Sequence, residues 1–200
     1  QYWGLDYPPL SAHASWLVGT LARALGRPEL VALHASRGIE TPETRAFMRN
    51  SVLALDALVY LPAAVACASD GWLAPARGSA PWARVGLLLQ LAALPALVLV
   101  DHGHFQYNCV SLGLTLWAML FALRQRPLAC SAAFCLALNF KQMSLYLAPA
   151  FFCYLLAGCL RRRPTAMGKA RAVGALGATV LGTFALCWAP FLGTAADAAA

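Results

Sequence analysis

The amino-acid sequence predicts an all-α, polytopic membrane protein. Three observations carry that prediction: a high apolar content, a series of apolar runs, and basic residues that punctuate those runs. Of 200 residues, 60% are hydrophobic and only 12% are charged, and the mean hydropathy is +0.63. A soluble domain carries about 25% charged residues. The net charge of +7 does not point to nucleic acid, because the basic residues are spread between apolar runs and build no single basic face. The seven cysteines lie mostly inside apolar runs and form no CxxC. They read as small apolar core residues, not as zinc or redox groups.

Residues 1–50 do not span a membrane as a whole. Asp6-Tyr7-Pro8-Pro9 makes a rigid, extended turn, because each proline fixes its own φ and restricts the residue before it. Residues 10–25 read as a fairly apolar helix interrupted by Ser11, His13, Ser15 and Arg23, a composition suited to lying in the interface plane. Arg27-Pro28 ends it. A polar stretch, residues 35–50, then carries Arg37, Glu40, Glu43, Arg45 and Arg49.

Residues 51–193 read as about six membrane segments. The apolar runs are 51–67, 85–100, 109–123, 127–140, 143–160 and 172–192, the fourth and fifth being split by Asn139, Lys141 and Gln142. A perpendicular span needs about 20 residues, and several of these runs are only 14–17 long. Polar ends facing other protein would extend them. Run 127–140 is the weakest and fits a broken or re-entrant segment. The chain starts at Gln1 and stops in Ala-rich sequence, with residues 194–200 as a truncated end. It reads as a fragment of a longer protein.

Every second loop is basic. Arg77 and Arg84 lie in one, Arg124 and Arg126 in the next, and Arg161, Arg162, Arg163, Lys169 and Arg171 in the third, nine of the fifteen basic residues. The positive-inside rule puts these loops in the cytosol. Residues 1–49, the 101–108 cluster and the 139–142 turn then share the opposite face, although residues 1–49 keep five arginines.

The octapeptide Asp101-His102-Gly103-His104-Phe105-Gln106-Tyr107-Asn108 stands between two long apolar runs. Hydrocarbon disfavours such a concentration of polar groups, so it reads as a site. Asp101, His102 and His104 contain ligand types a metal accepts, but no further nearby acid or cysteine completes a set. As hydrogen-bonding and acid/base groups beside Phe105 and Tyr107 they suit a polar sugar or headgroup. A helix cap facing water is the plain alternative. Asp6 and Tyr7 on their stiff turn form a second candidate, with an ordinary turn aspartate as the plain reading. Lys141 and Gln142 form a third, a cation fit for phosphate or a snorkelling interfacial lysine. Asp56, inside the first run, is either functional or paired with a basic residue such as Arg49.

The segments Tyr2-Trp3-Gly4-Leu5-Asp6-Tyr7-Pro8-Pro9-Leu10, Ser36-Arg37-Gly38, Phe47-Met48-Arg49, the 101–108 octapeptide and Phe140-Lys141-Gln142-Met143 resemble the endoplasmic-reticulum dolichyl-phosphate-glucose-dependent α-1,3-glucosyltransferase family. Gly103, Ser36-Arg37-Gly38 and Gln142-Met143 favour the branch that adds the first glucose to the lipid-linked oligosaccharide over the sister branch that adds the second. The resemblance implies a GT-C-type glycosyltransferase fold, here partial, with residues 1–50 in a luminal loop and the site on the luminal face. It implies a dolichyl-phosphate-glucose donor, a dolichyl-pyrophosphate oligosaccharide acceptor and an inverting transfer; no cofactor is expected and no metal ligands are assigned. The general base is expected upstream of this chain, so no catalytic residue is assigned. The substrate-binding candidates are Asp6, Tyr7, Asp101, His102, His104, Gln106, Tyr107, Lys141 and Gln142. One departure is Ser11-Ala12-His13-Ala14-Ser15, where the family's histidine is displaced by one place, about 100° around a helix; Cys109 stands where serine is common. The reading from a different class is a membrane transporter with an acid–histidine pathway through Asp56. No internal repeat of the kind found in many transporters is visible.

Overall fold

A computed structural model describes residues 7–70 and 82–197, with side chains as far as residue 192. Asp6 and Arg77 lie outside the described residues. Every regular element among the described residues is helical. Eight α-helices follow in order: α1 (Pro9–Ala24), α2 (Pro42–Leu55), α3 (Leu61–Ser69), α4 (Trp82–Ala92), α5 (Asn108–Leu123), α6 (Pro127–Phe140), α7 (Ala148–Arg161) and α8 (Ala166–Asp197). Short 3-10 turns cover Pro28–Val31 and Gln142–Leu147, and π turns cover Asp56–Tyr60 and Leu97–His102. The chain is a multi-pass membrane protein. Among the described residues, four stretches are long and apolar enough to cross a bilayer: Pro42–Ser69, Trp82–His102, Gln142–Arg161 and Ala166–Leu192.

The first of these is longer than the apolar run. It begins at Pro42, inside the stretch that composition marks as polar. Local chemistry explains the start. Thr41 is the N-cap and its hydroxyl accepts from the Thr44 N–H at 3.2 Å; Pro42 takes the first helical position and Glu43 the first turn. A hydroxyl cap, a proline whose missing N–H costs nothing there, and an acid near the positive helix end all favour initiation. The helix then runs through a π turn at Asp56–Tyr60 into α3.

Two apolar helices fall short of spanning length, α5 and α6, and they are packed inside the bundle. On α6, Cys130, Ser131, Ala133, Phe134, Cys135, Ala137, Asn139 and Phe140 are all buried. Residues 127–140 form one unbroken helix, not the interrupted segment that their length suggests. Burial against protein replaces the length that lipid contact would demand. The break falls one residue later, at Lys141, whose backbone is extended (φ −143°, ψ 137°).

Among the described residues, two apolar cores hold the bundle. One joins Val52, Tyr60, Ala64, Leu97, Cys109, Val110 and Phe140. The other surrounds Phe134 and Phe151, stacked with ring centroids 4.1 Å apart. Gly113 brings α5 against the π turn: a Cβ built there would lie 2.8 Å from the Tyr60 Cα. Small residues at such crossings let helices approach closely in a membrane, where packing rather than water exclusion drives association. Pro95 has no N–H to give the Leu91 carbonyl, and α4 ends at Ala92. The Tyr60 hydroxyl donates to that carbonyl at 2.8 Å instead. In hydrocarbon such a replacement is required, because no water can supply it.

Helix α1 is docked at one end of the bundle. The Ser11 hydroxyl donates to the Phe140 carbonyl at the end of α6. The His13 Nε2 lies 3.0 Å from the Cys187 carbonyl on α8, and its ring meets Phe191 at 5.4 Å. The displaced histidine therefore fastens α1 to α8. Trp16, Leu17 and Leu21 are left exposed on α1, and Leu25 just past its end, the apolar face that an interfacial helix needs.

Candidate functional site

The candidate site forms where the Leu97–His102 π turn, the start of α5, the end of α6 and the turn at Tyr7 meet. Asp101 is fully buried. One carboxylate oxygen accepts from the Asn108 amide at 2.6 Å, and the other accepts from the Cys109 backbone N–H. Cys109 lies in the first turn of α5, so the acid sits at the positive end of that helix and satisfies an N–H that the helix itself cannot. Both oxygens are thereby committed. Asp101 acts as the fixed post on which the rest of the cluster is built.

Asn108 links the acid to the lysine. Its amide nitrogen also donates to the Gln106 side-chain oxygen at 3.2 Å, while its own oxygen accepts from the Lys141 ammonium. Lys141 also donates to Gln106 at 3.4 Å. The ammonium lies 5.4 Å from the centre of the Tyr7 ring, within the range of a cation–π contact. Among the described residues, then, Lys141 is held by neutral amides and an aromatic face, with no carboxylate within ion-pair distance. Its charge is thus not taken up in a direct ion pair. Burial pushes its pKa below the ordinary lysine range, and the Asp101 charge offsets part of that. The extended backbone at Lys141, which ends α6, is what turns this side chain back toward α5.

The structure thus brings together Tyr7, Asp101, Gln106 and Lys141. Asn108, which residue-by-residue reasoning passed over, is the bridge between them. Its signal was its place at the end of the octapeptide. The other candidates are placed differently. His102 turns away, and its Nε2 lies 3.5 Å from the Asp56 Oδ2 on the neighbouring π turn. Asp56 is therefore paired with a histidine, and Arg49 instead lies 5.7 Å from the Phe105 ring centre. The Asp56 Oδ1 and the His102 Nε2 are both buried without a hydrogen-bond partner, so the 3.5 Å approach is a close contact and not a hydrogen bond. His104 and Gln142 are exposed. The Tyr107 hydroxyl meets the Ser51 hydroxyl at 2.9 Å, tying the start of α5 to α2. Phe105 adopts φ 58°, an uncommon conformation for a residue with a Cβ, and the reversal it makes folds the octapeptide back so that Gln106 and Asn108 reach Lys141. Among the described residues no three His, Cys, Asp or Glu side chains gather as metal ligands.

Nearly the whole sequence, residues 1–199, matches the ALG6, ALG8 glycosyltransferase family. The chain belongs to this family. It is 45% identical over 193 residues to the rat dolichyl pyrophosphate Man9GlcNAc2 alpha-1,3-glucosyltransferase, covering 96% of this chain and 36% of the rat protein. It is 44% identical over 194 residues to a probable enzyme of the same name from Drosophila melanogaster, covering 97% of this chain and 40% of that protein. A probable enzyme of that name from Schizosaccharomyces pombe is 41% identical over 192 residues, 96% of this chain and 37% of the yeast protein. The chain thus spans a little over a third of the length of these relatives. The octapeptide, the Lys141 corner and the Tyr7 turn all lie within the matched region of this family member.

Proposed function

We propose that the protein transfers glucose from dolichyl-phosphate-glucose to dolichyl-pyrophosphate-linked Man9GlcNAc2, forming an α-1,3 bond with inversion, as a step in building the N-glycan precursor. The observation that carries this is the 45% identity, over 96% of the chain, to a relative named for that acceptor. An acceptor that carries no glucose makes this the first glucosylation and not the second.

The geometry supports a division of labour. An acceptor mannose hydroxyl attacks the glucose C1, the bond from C1 to the phosphate oxygen breaks, and dolichyl phosphate leaves. The proton goes to a base that is not assigned among the residues of this chain. The leaving phosphate needs positive charge fixed in place before the bond breaks, because preorganised charge costs no rearrangement at the moment of reaction. Lys141 supplies that charge. Asp101, Asn108 and Gln106 hold it in place, and Tyr7 shields one side. His102, turned toward Asp56, is given no part in holding the phosphate. His104 and Gln142, both exposed at the same end of the bundle, are left to meet the sugar.

This end of the bundle lies in the lumen of the endoplasmic reticulum in the proposed topology, with six crossings in which α5 and α6 are the protein-buried spans. Dolichyl tails then stay in lipid while both sugar heads reach Lys141. The test is complementation. Full-length protein expressed in cells lacking the first glucosylation step restores glucosylated lipid-linked oligosaccharide. Full expression with no recovery would exclude the reading.

A further inference from the structure

We propose that the end of the bundle opposite the candidate site binds an anionic glycerophospholipid between α6, α7 and α8. Helix α5 has 16 residues, about 24 Å at 1.5 Å per residue, so this end is separated from the Asp101 cluster by most of a bilayer. A cavity of about 390 Å³ lies there. Its polar wall is built from Gln125, Tyr154, Arg161, Arg162 and Arg163. Gln125 adopts φ 58° and donates to the Tyr154 hydroxyl at 3.2 Å, which in turn donates to the Ala122 carbonyl at 2.8 Å. The two polar side chains are thus pinned, while the three guanidiniums are exposed.

A second cavity, of about 350 Å³, adjoins the first and shares Pro127, Cys159, Arg163 and Ala172 with it. Its remaining wall has Arg126 at the rim and is otherwise apolar: Leu128 and Ala129 from the first turn of α6, and Ala175 and Leu176 from α8. Leu176 lies ten residues into α8, about 15 Å along the helix. The pair of cavities therefore runs from an arginine-lined mouth into an apolar crevice between two helices. Basic residues at a span end are ordinarily read as topology signals, and these serve as such. Topology alone requires neither a cavity beneath them nor an apolar extension of it. A free anion would use only the mouth. A molecule with a phosphate head and an acyl chain uses both parts, and basic pockets between spanning helices suit anionic headgroups.

Native mass spectrometry of the full-length protein, titrated with dioleoylphosphatidylserine or dioleoylphosphatidylcholine in detergent, tests this. Wild type is expected to retain the serine lipid about tenfold more strongly, given the attraction of several arginines for an anionic head. The triple variant Arg161→Gln, Arg162→Gln, Arg163→Gln brings the two lipids level. Ala172→Phe, which leaves every charge in place but fills the shared wall, weakens retention of the serine lipid to a similar degree. Excess inorganic phosphate leaves the bound lipid in place. Equal retention of both lipids by wild type overturns the proposal, as happens when other parts of the full-length protein fill the crevice. Unchanged retention by Ala172→Phe, or displacement by phosphate, overturns it equally.

Discussion

Lys141 is a cation whose neighbours within hydrogen-bond reach are all neutral, and that sets the pH behaviour of the site. Its pKa lies below the ordinary lysine range because the ammonium is half-buried. The charged form exists only below that pKa, so activity that depends on it falls as pH rises through the lowered value, earlier than an exposed lysine would dictate. Initial rates measured across alkaline pH should show this limb. Lys141→Arg keeps its charge throughout the range and should move the limb upward, even where its bulkier fork lowers the maximal rate. Identical limbs in the two proteins would separate Lys141 from the pH dependence. Asp101 plays a different part. With both oxygens taken by Asn108 and the Cys109 N–H, its charge stabilises α5 and orients the bridge to Lys141.

At the scale of elements, the bundle depends on contacts that repair or exploit irregular backbone. Each of the two π turns carries one member of the Asp56–His102 pair, and such turns often mark functional positions in helices. The Tyr60 hydroxyl covers the carbonyl that Pro95 leaves open. Tyr60→Phe removes that donor while keeping the ring, and should lower stability by about 1–3 kcal/mol, read as a lower melting temperature in detergent. Gly113→Ala puts a methyl group within 2.8 Å of the Tyr60 Cα. Backbone cannot yield as a flexible side chain can, so α5 must shift, at about 1–3 kcal/mol. A melting temperature unchanged within error in Gly113→Ala would refute that close approach.

Over the whole molecule, the all-helical, multi-pass architecture was legible because hydropathy and charge bias are written locally, run by run. The residues of the candidate site stood out for the same reason: the octapeptide and Lys141-Gln142 interrupt apolar sequence. Their partners were not. That Asn108 bridges Asp101 and Lys141, or that Asp56 faces His102 and not Arg49, depends on which helix ends meet, and no single segment encodes it. The start of the first spanning helix at Pro42 was missed because charged residues outweighed a cap written in only three residues, Thr41, Pro42 and Glu43. The topology has its own test. Single cysteines placed at His104 and Gln142 should react with an impermeant maleimide from the luminal side, and one at Arg162 from the cytosolic side. His104 and Gln142 labelled from opposite sides would dismantle the site.

The most direct measurement is the donor dependence of glucosyl transfer in membranes containing Lys141→Gln, a neutral polar side chain one atom shorter. The transfer rate should be at least about tenfold lower at matched expression, since a charge-assisted hydrogen bond to phosphate is worth about 1.5–3 kcal/mol. The loss should persist at saturating dolichyl-phosphate-glucose, because the phosphate gains charge as it leaves. Wild-type rates at every donor concentration would contradict it.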